Sequence, residues 1–481
     1  MKALSVLGLI RKEELKEFER FAASPFFNKG RNYTELLRLL RPFYPGFGDK
    51  RLTSEFIYRN LYPGRKFNRS VVNTVLSGLS KLCEEFFLQK NFMHDSKREI
   101  RLLREYSKRG YDKKAVSLSR KLHSRLRNQM PGSMTFFENL DTIDALQQHY
   151  AMSYDKERRS KALHEGILNL ICFMILQSFV FQKELILYGG RYAEDELNST
   201  TAGKLLGAVD FDKLLEIVSR EKDPSFIVLK LYSLLVKQLN NIEDDTLYKE
   251  LRQLLEKNKG ETDPETVEKL MLNLVSICNM KNNLGKKEYL KESYVIMKHL
   301  AGSGFFDRLE DSPHFPPSQF RNIVKAGIAL EDSEWVRRFV TDNADKLEHS
   351  LRSSLKHYSL AKIDFASGRF DSALQHLSEV QTDNLVFKLD IRKLYAMIYY
   401  ETGSHESLRS LLNAYYGMVA KKGKKNEAIL LRHRNFIKYL RQLLNLNEEG
   451  AAAEELKAVI DILKTDNVSE KSWLTEKFRS Q

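Results

Sequence analysis

The chain is poor in the residues that punctuate sheets and staple small folds: its 481 residues hold 23 Gly, 10 Pro and 3 Cys. So few turn formers cannot supply the frequent reversals of a β-rich fold, while Leu, Lys, Glu and Arg abound, and the sequence predicts an all-α protein. Cys83, Cys172 and Cys278 lie far apart within apolar helical stretches. They exclude a disulfide framework and read as buried thiols in a reducing, cytoplasmic setting. The motifs of common chemistries are missing as well. No Gly-rich phosphate loop precedes a Lys-Ser/Thr pair, no G-x-G-x-x-G follows a strand pattern, and neither H-E-x-x-H nor C-x-x-C occurs. The 11 histidines are scattered, His164 beside Glu165 and His433 between Arg432 and Arg434 included, without the convergent spacing of a metal site. Adjacent carboxylates such as Asp244 and Asp245 stand in polar surroundings, not in an apolar pocket that would tune a catalytic acid. The reading is of a non-enzymatic chain with no cofactor and no metal.

A membrane partner is not expected either. The most apolar window, 167–188, is broken by Asn169, Gln177, Gln182, Lys183 and Glu184, whereas a span needs about 20 nearly uninterrupted apolar residues. It reads as a buried helix of the protein interior. The first residues, MKALSVLGLIRKEELKEF, place acids directly after the apolar stretch and show no small-residue cleavage site, so they read as an amphipathic helix.

Charge is distributed unevenly. Residues 1–130 hold 29 Lys and Arg against 13 Asp and Glu, and the other 351 hold 49 against 51, so the whole excess of +14 belongs to the first quarter. Such asymmetry points to a separate basic module that prefers an anionic partner, nucleic acid or an acidic protein surface. Within it a short helix capped by Thr53 or Ser54 is expected to end at Pro63-Gly64. A longer one, capped by Asn68, then carries Val71, Val72, Val75, Leu79, Leu82 and Phe86 inward. This succession has some resemblance to a helix-turn-helix, with a turn of about six residues that exceeds the three or four of the tight motif. Its polar face is Arg69, Asn73, Ser77 and Lys81, spaced by four, with Arg65 and Lys66 in the turn placed to meet phosphates. Farther on, Lys97, Arg101, Arg104 and Lys108 form a second basic stripe opposite Ile100, Leu103 and Tyr106, and Gly110 marks a turn between helices.

The clearest internal repetition lies in 351–416. Tyr358, Leu360, Ala361, Gly368, Phe370, Ala373, Leu374 and Leu377 give a large and a small apolar residue, a Gly turn, an aromatic two positions on, and an Ala that permits close helix contact. Tyr395, Ala396, Tyr399, Tyr400 and Gly403 repeat the offsets, and His405 and Leu408 replace the aromatic and the Ala. Gly368 and Gly403 are 35 residues apart, and the stretch resembles the tetratricopeptide pattern with its period of ~34. The resemblance implies an α-solenoid that grips another protein, and among the many aromatics Tyr395 and Tyr399 are candidates for lining a peptide groove. An irregular unit carrying Trp335 precedes these two.

At 481 residues the chain exceeds one ordinary core. Three segments are expected: a basic helical domain over 1–130 ending at Met130-Pro131-Gly132, an irregular paired-helix region over 131–305, and a tetratricopeptide-like solenoid with capping helices over 318–465. The leading functional expectation is a scaffold or adaptor that binds a protein through the solenoid. The alternative is a DNA- or RNA-associated factor using residues 1–130.

Overall fold

The computed structural model describes residues 2–28, 33–94, 98–128, 156–189, 199–220, 225–309, 313–420, 427–449 and 453–480, with 136, 138–140 and 143 between. Lys97 and the boundary at 130–132 lie outside the described residues. The fold is all-α, and no strand occurs among the described residues. The chain divides into two compact units. One comprises 1–130 and 134–175, the other 131–133 and 176–481.

The first unit begins with helices α1 (Lys2–Leu7), α2 (Leu15–Ala23), α3 (Thr34–Leu40), α4 (Ser54–Leu61) and α5 (Arg69–His94). Their apolar stripes meet in one core that includes Leu4, Phe18, Leu36, Ile57, Leu79 and Phe86. Thr53 caps α4, its hydroxyl accepting from the Phe56 amide at 3.1 Å, and the Asn68 side chain accepts from the Ser70 amide at 2.9 Å before α5. Gly78 on α5 is required by packing. A Cβ there would stand 2.0 Å from the Tyr33 hydroxyl oxygen. Gly78→Ala is expected to displace Tyr33 and lower stability by about 1–3 kcal/mol, measured as a shift of the urea midpoint.

Helices α6 (Arg98–Lys108) and α7 (Asp112–Arg127) form a hairpin that turns at Gly110. The long helix α8 (Lys156–Glu184) carries the division at 175/176. Expected as a buried helix, it is buried only along one stripe, through Asn169, Cys172, Ile175, Leu176 and Phe179, while Ile167, Leu170, Met174 and Phe181 are exposed. The sequence is apolar all round, yet among the described residues only one face is buried. Among the described residues it is also the one helix long and apolar enough to cross a membrane, over Leu163–Leu187. The three cysteines are buried and none forms a disulfide; burial pushes the thiols of Cys83 and Cys278 up to about 12.

In the second unit α9 (Thr201–Gly207) and α10 (Phe211–Arg220) precede a series of neighbouring pairs. These are α11 (Ser225–Asn240) with α12 (Asp245–Asn258), α13 (Pro264–Asn283) with α14 (Glu288–Gly302), and α15 (Pro317–Ala329) with α16 (Ser333–Asn343). Next come α17 (His349–Ala366) with α18 (Phe370–Ser378) and α19 (Leu385–Glu401) with α20 (His405–Val419). The first helix of a pair also touches the first helix of another, α11 on α13, α15 on α17 and α17 on α19. Helices α21 (Glu427–Glu449), α22 (Ala453–Thr465) and α23 (Lys471–Arg479) close the unit on α19 and α20.

One turn recurs at the ends of α6, α13, α15, α17 and α19. A left-handed residue, Gly110, Gly285, Glu331, Gly368 or Gly403, is followed by an amide that reaches back five residues. The bonds run from Tyr111 to the Tyr106 carbonyl, Lys286 to Lys281, Asp332 to Gly327, Arg369 to Asp364 and Ser404 to Tyr399, at 2.8–3.2 Å. This closure satisfies carbonyls that a helix end leaves open. Glycine takes the left-handed position without a Cβ penalty, and Glu331, with φ 59°, takes it at a cost of about 1 kcal/mol.

Candidate functional site

Three surfaces carry the residues singled out in the sequence. On α5, Arg69, Asn73, Ser77 and Lys81 are all exposed and stand one turn apart. Asn73, Ser77 and Lys81 line an open cleft of about 1010 Å³ whose other side includes Phe26, Phe27 and Tyr33. Arg69 adjoins the lining residue Ser70, and Arg65 and Lys66 are exposed in the turn before α5. The second stripe sits on a different helix: Arg101, Arg104 and Lys108 are exposed on α6. There Arg101 stacks on the Phe92 ring at 5.1 Å, and Lys108 and Arg109 share Glu105, each at 3.4 Å. Lys108 and Arg109 hold the Glu105 carboxyl below its ordinary range.

In the second unit Tyr395 and Tyr399 are half-buried on one face of α19, their ring centres 6.1 Å apart. With Ile391 of the same helix and Leu411 and Met418 of α20 they line a cleft of about 380 Å³. Lys388 and Arg392 also line it, and no carboxylate does. Lys388 reaches only the fully exposed Asp383, at 3.5 Å, and Arg392 has no carboxylate within 4 Å among the described residues. The Asn384 side chain caps α19 by accepting from the Phe387 amide at 3.1 Å, which fixes where this face begins. The cleft therefore offers aromatic and aliphatic walls with a cationic rim. Known protein families, curated proteins and solved structures give no match to the chain.

A different face of α19 looks inward and carries a charged network that the sequence did not reveal. Lys393, 9 % exposed, donates to Glu470 at 2.9 Å and to Asp390 at 3.2 Å, and Asp390 also takes Arg321 of α15 at 3.0 Å. Burial opposes charge on Lys393, but Glu470, Tyr358 and Asp390 hold its pKa above the ordinary range. Burial likewise opposes the Glu470 carboxylate, and Lys393 and Lys362 bring it down to about 2. Glu470 is left-handed, with φ 53°, at the start of α23. His433 of α21, 3 % exposed, shares a hydrogen bond between its Nδ1 and the Tyr415 hydroxyl. It reads as a satisfied core histidine. Among the described residues no group of three His, Cys, Asp or Glu is placed to hold a metal ion.

Burial and the neighbouring Lys393 push the His433 pKa down to about 4, against the opposing pull of Asp390 and Glu470; Arg432 adds to the depression. An unfolded histidine titrates near ~6.5. Between these values the unfolded chain binds a proton that the folded one refuses, so stability falls as pH drops from about 6.5 toward about 4. The loss is expected to be roughly 3 kcal/mol, level in this group at lower pH. Unfolding in urea across this window should show the loss, and His433→Gln should reduce it.

Proposed function

We propose that the chain is a non-catalytic helical-repeat adaptor whose second unit binds a protein segment in the cleft on α19. The observation that carries this reading is the cleft itself: Tyr395, Tyr399, Ile391, Leu411 and Met418 form its walls, and Lys388 and Arg392 supply positive charge uncompensated by any lining acid. Such a surface suits an extended segment with a bulky apolar side chain next to an acidic one. The walls provide desolvated contact area, and the rim selects charge. Successive helix pairs joined by the same left-handed turn support the solenoid reading, because stacked pairs present preformed surfaces at little ordering cost. The buried charged groups support a structural role, since Lys393, Glu470 and Asp390 are committed to one another.

Selection of displayed random peptides on the intact chain tests this. It is expected to enrich sequences with an acid beside a large apolar residue, and the double variant Arg392→Glu with Tyr399→Ala should weaken their retention at least about tenfold. Equal retention on the double variant would sink the reading.

A further inference from the structure

The cleft in the first unit has a composition unlike that on α19. Its floor is mostly amide, hydroxyl and ammonium: the side chains of Asn73, Ser77 and Lys81 follow one another up α5 and have no hydrogen-bond or ion-pair partner among the described residues, while the one lining carboxylate, Glu85, accepts from Gln89 at 3.3 Å. Of the three aromatic rings beside that floor, Phe26 is the exposed one, at 76 %. It is held from behind. Phe26 meets Phe27 edge-on at 4.9 Å, Phe27 stacks on Phe21 at 4.1 Å, and Phe21 meets Phe86 of the core at 5.4 Å. An aromatic ladder thus presents a ring to solvent where burial would have favoured turning it in. Arg65, Lys66, Arg69 and Lys81 have no carboxylate within 4 Å among the described residues, whereas Arg38, Arg51 and Arg59 nearby are paired with acids.

These features sort the possible occupants. A helix of about 10–12 Å diameter already fills a duplex major groove about 12 Å wide. The polar face of α5 has Phe26 and Tyr33 alongside it, so a duplex cannot close on that face. A protein segment would want apolar walls, and this floor has few. An unstacked base needs what is present: an aromatic face to lie on, amide and hydroxyl groups for its edge, and cations for the adjoining phosphates. From Arg69 to Lys81 is a rise of ~18 Å along the helix, enough for a short run of backbone.

We propose that this cleft binds single-stranded nucleic acid. One base stacks on Phe26, Asn73 and Ser77 bond its edge, and Arg69 and Lys81 take phosphates on either side. The basic excess of residues 1–130 supplies the long-range attraction, and the cleft supplies the preference for an unpaired strand.

The experiment uses the full chain with a short labelled RNA strand, the DNA strand of the same sequence, and the duplex, followed by fluorescence anisotropy over a salt series. Either or both single strands are expected to bind more tightly than the duplex, the RNA and DNA arms showing whether the 2′-hydroxyl matters. Phe26→Ala should weaken strand binding about 5- to 150-fold without changing the salt slope. Arg69→Gln and Lys81→Gln should each weaken it and flatten the slope by roughly 0.7. The double variant Arg104→Gln with Lys108→Gln removes equal charge from α6 and should change affinity less than the Arg69 and Lys81 pair. Four results overturn the proposal: no strand binding at low salt, a duplex bound as well as the strand, Phe26→Ala without effect, or the α6 variant as damaging as the cleft pair. Displacement of the strand by polyglutamate with Phe26→Ala still inert would identify a bare cationic patch, and so would also overturn it.

Discussion

Lys393→Met is expected to unfold about 3–5 kcal/mol more easily than the parent chain. The ammonium is nearly sealed off, yet it remains charged because Glu470 at 2.9 Å and Asp390 at 3.2 Å face it. Removing it strands the Glu470 carboxylate in a partly buried position. Asp390 keeps Arg321, so the loss concentrates on Glu470. That residue already holds a left-handed backbone that side chains other than glycine seldom adopt. Glu470→Gln introduced alongside Lys393→Met should recover much of the loss, since no buried charge is then left alone. A double-mutant cycle followed by urea unfolding reads the coupling directly. A Lys393→Met variant within about 1 kcal/mol of the parent would mean that the pair contributes little net stability.

Asp364→Ala is expected to cost a similar amount, about 3–5 kcal/mol, by a different route. Its side chain is 1 % exposed and joins three helices: it accepts from Arg337 of α16, from Ser372 of α18 at 2.7 Å, and from Arg369 in the turn at 2.9 Å. Truncation deprives two partly exposed guanidinium groups of their shared acceptor. Asp364→Asn keeps the shape and should cost roughly half as much. Burial raises the Asp364 pKa, but Ser372, Arg369 and Arg337 outweigh it and hold the carboxyl below its ordinary range. This stabilisation is therefore complete above the unfolded carboxyl pKa of ~3.9 and disappears as pH falls through the lower folded value. A parent chain that loses stability in strong acid, beside an Asp364→Ala variant that loses less, is the expected pattern.

Much of the helical frame was legible because its signals are local. Thr53 and Asn68 were followed by apolar periodicity, and both side chains accept from amides at the start of α4 and α5. Gly110, Gly368 and Gly403 marked reversals, and each is left-handed. Glu331 occupies the same turn position with a residue that gives no such signal. The networks were hidden for another reason. Lys393 and Glu470 lie 77 positions apart, and nothing in the intervening chain ties one charge to the other. Phe26 looked like any other aromatic of a core, and only the packing of Phe21 and Phe27 beneath it reveals that it faces outward. The apolar helix α8 misled in the opposite sense, since hydropathy reports what a surface prefers and not whether a neighbour arrives to cover it. At the candidate sites, Asn73, Ser77, Lys81, Tyr395 and Tyr399 were found by their spacing along a helix. Their partners across each cleft, Phe26 and Tyr33 or Leu411 and Met418, depend on tertiary packing.

The turn that closes α6, α13, α15, α17 and α19 has a kinetic meaning. Each reversal is specified within six residues, and the helix that follows finds its partner at once, so little chain entropy is lost before a contact is gained. Five such hairpins can nucleate independently and at microsecond rates, about as fast as isolated helical elements form. The slow events should then be the distant clasps, above all the one that brings Glu470 to Lys393 after 77 residues of chain have found their places.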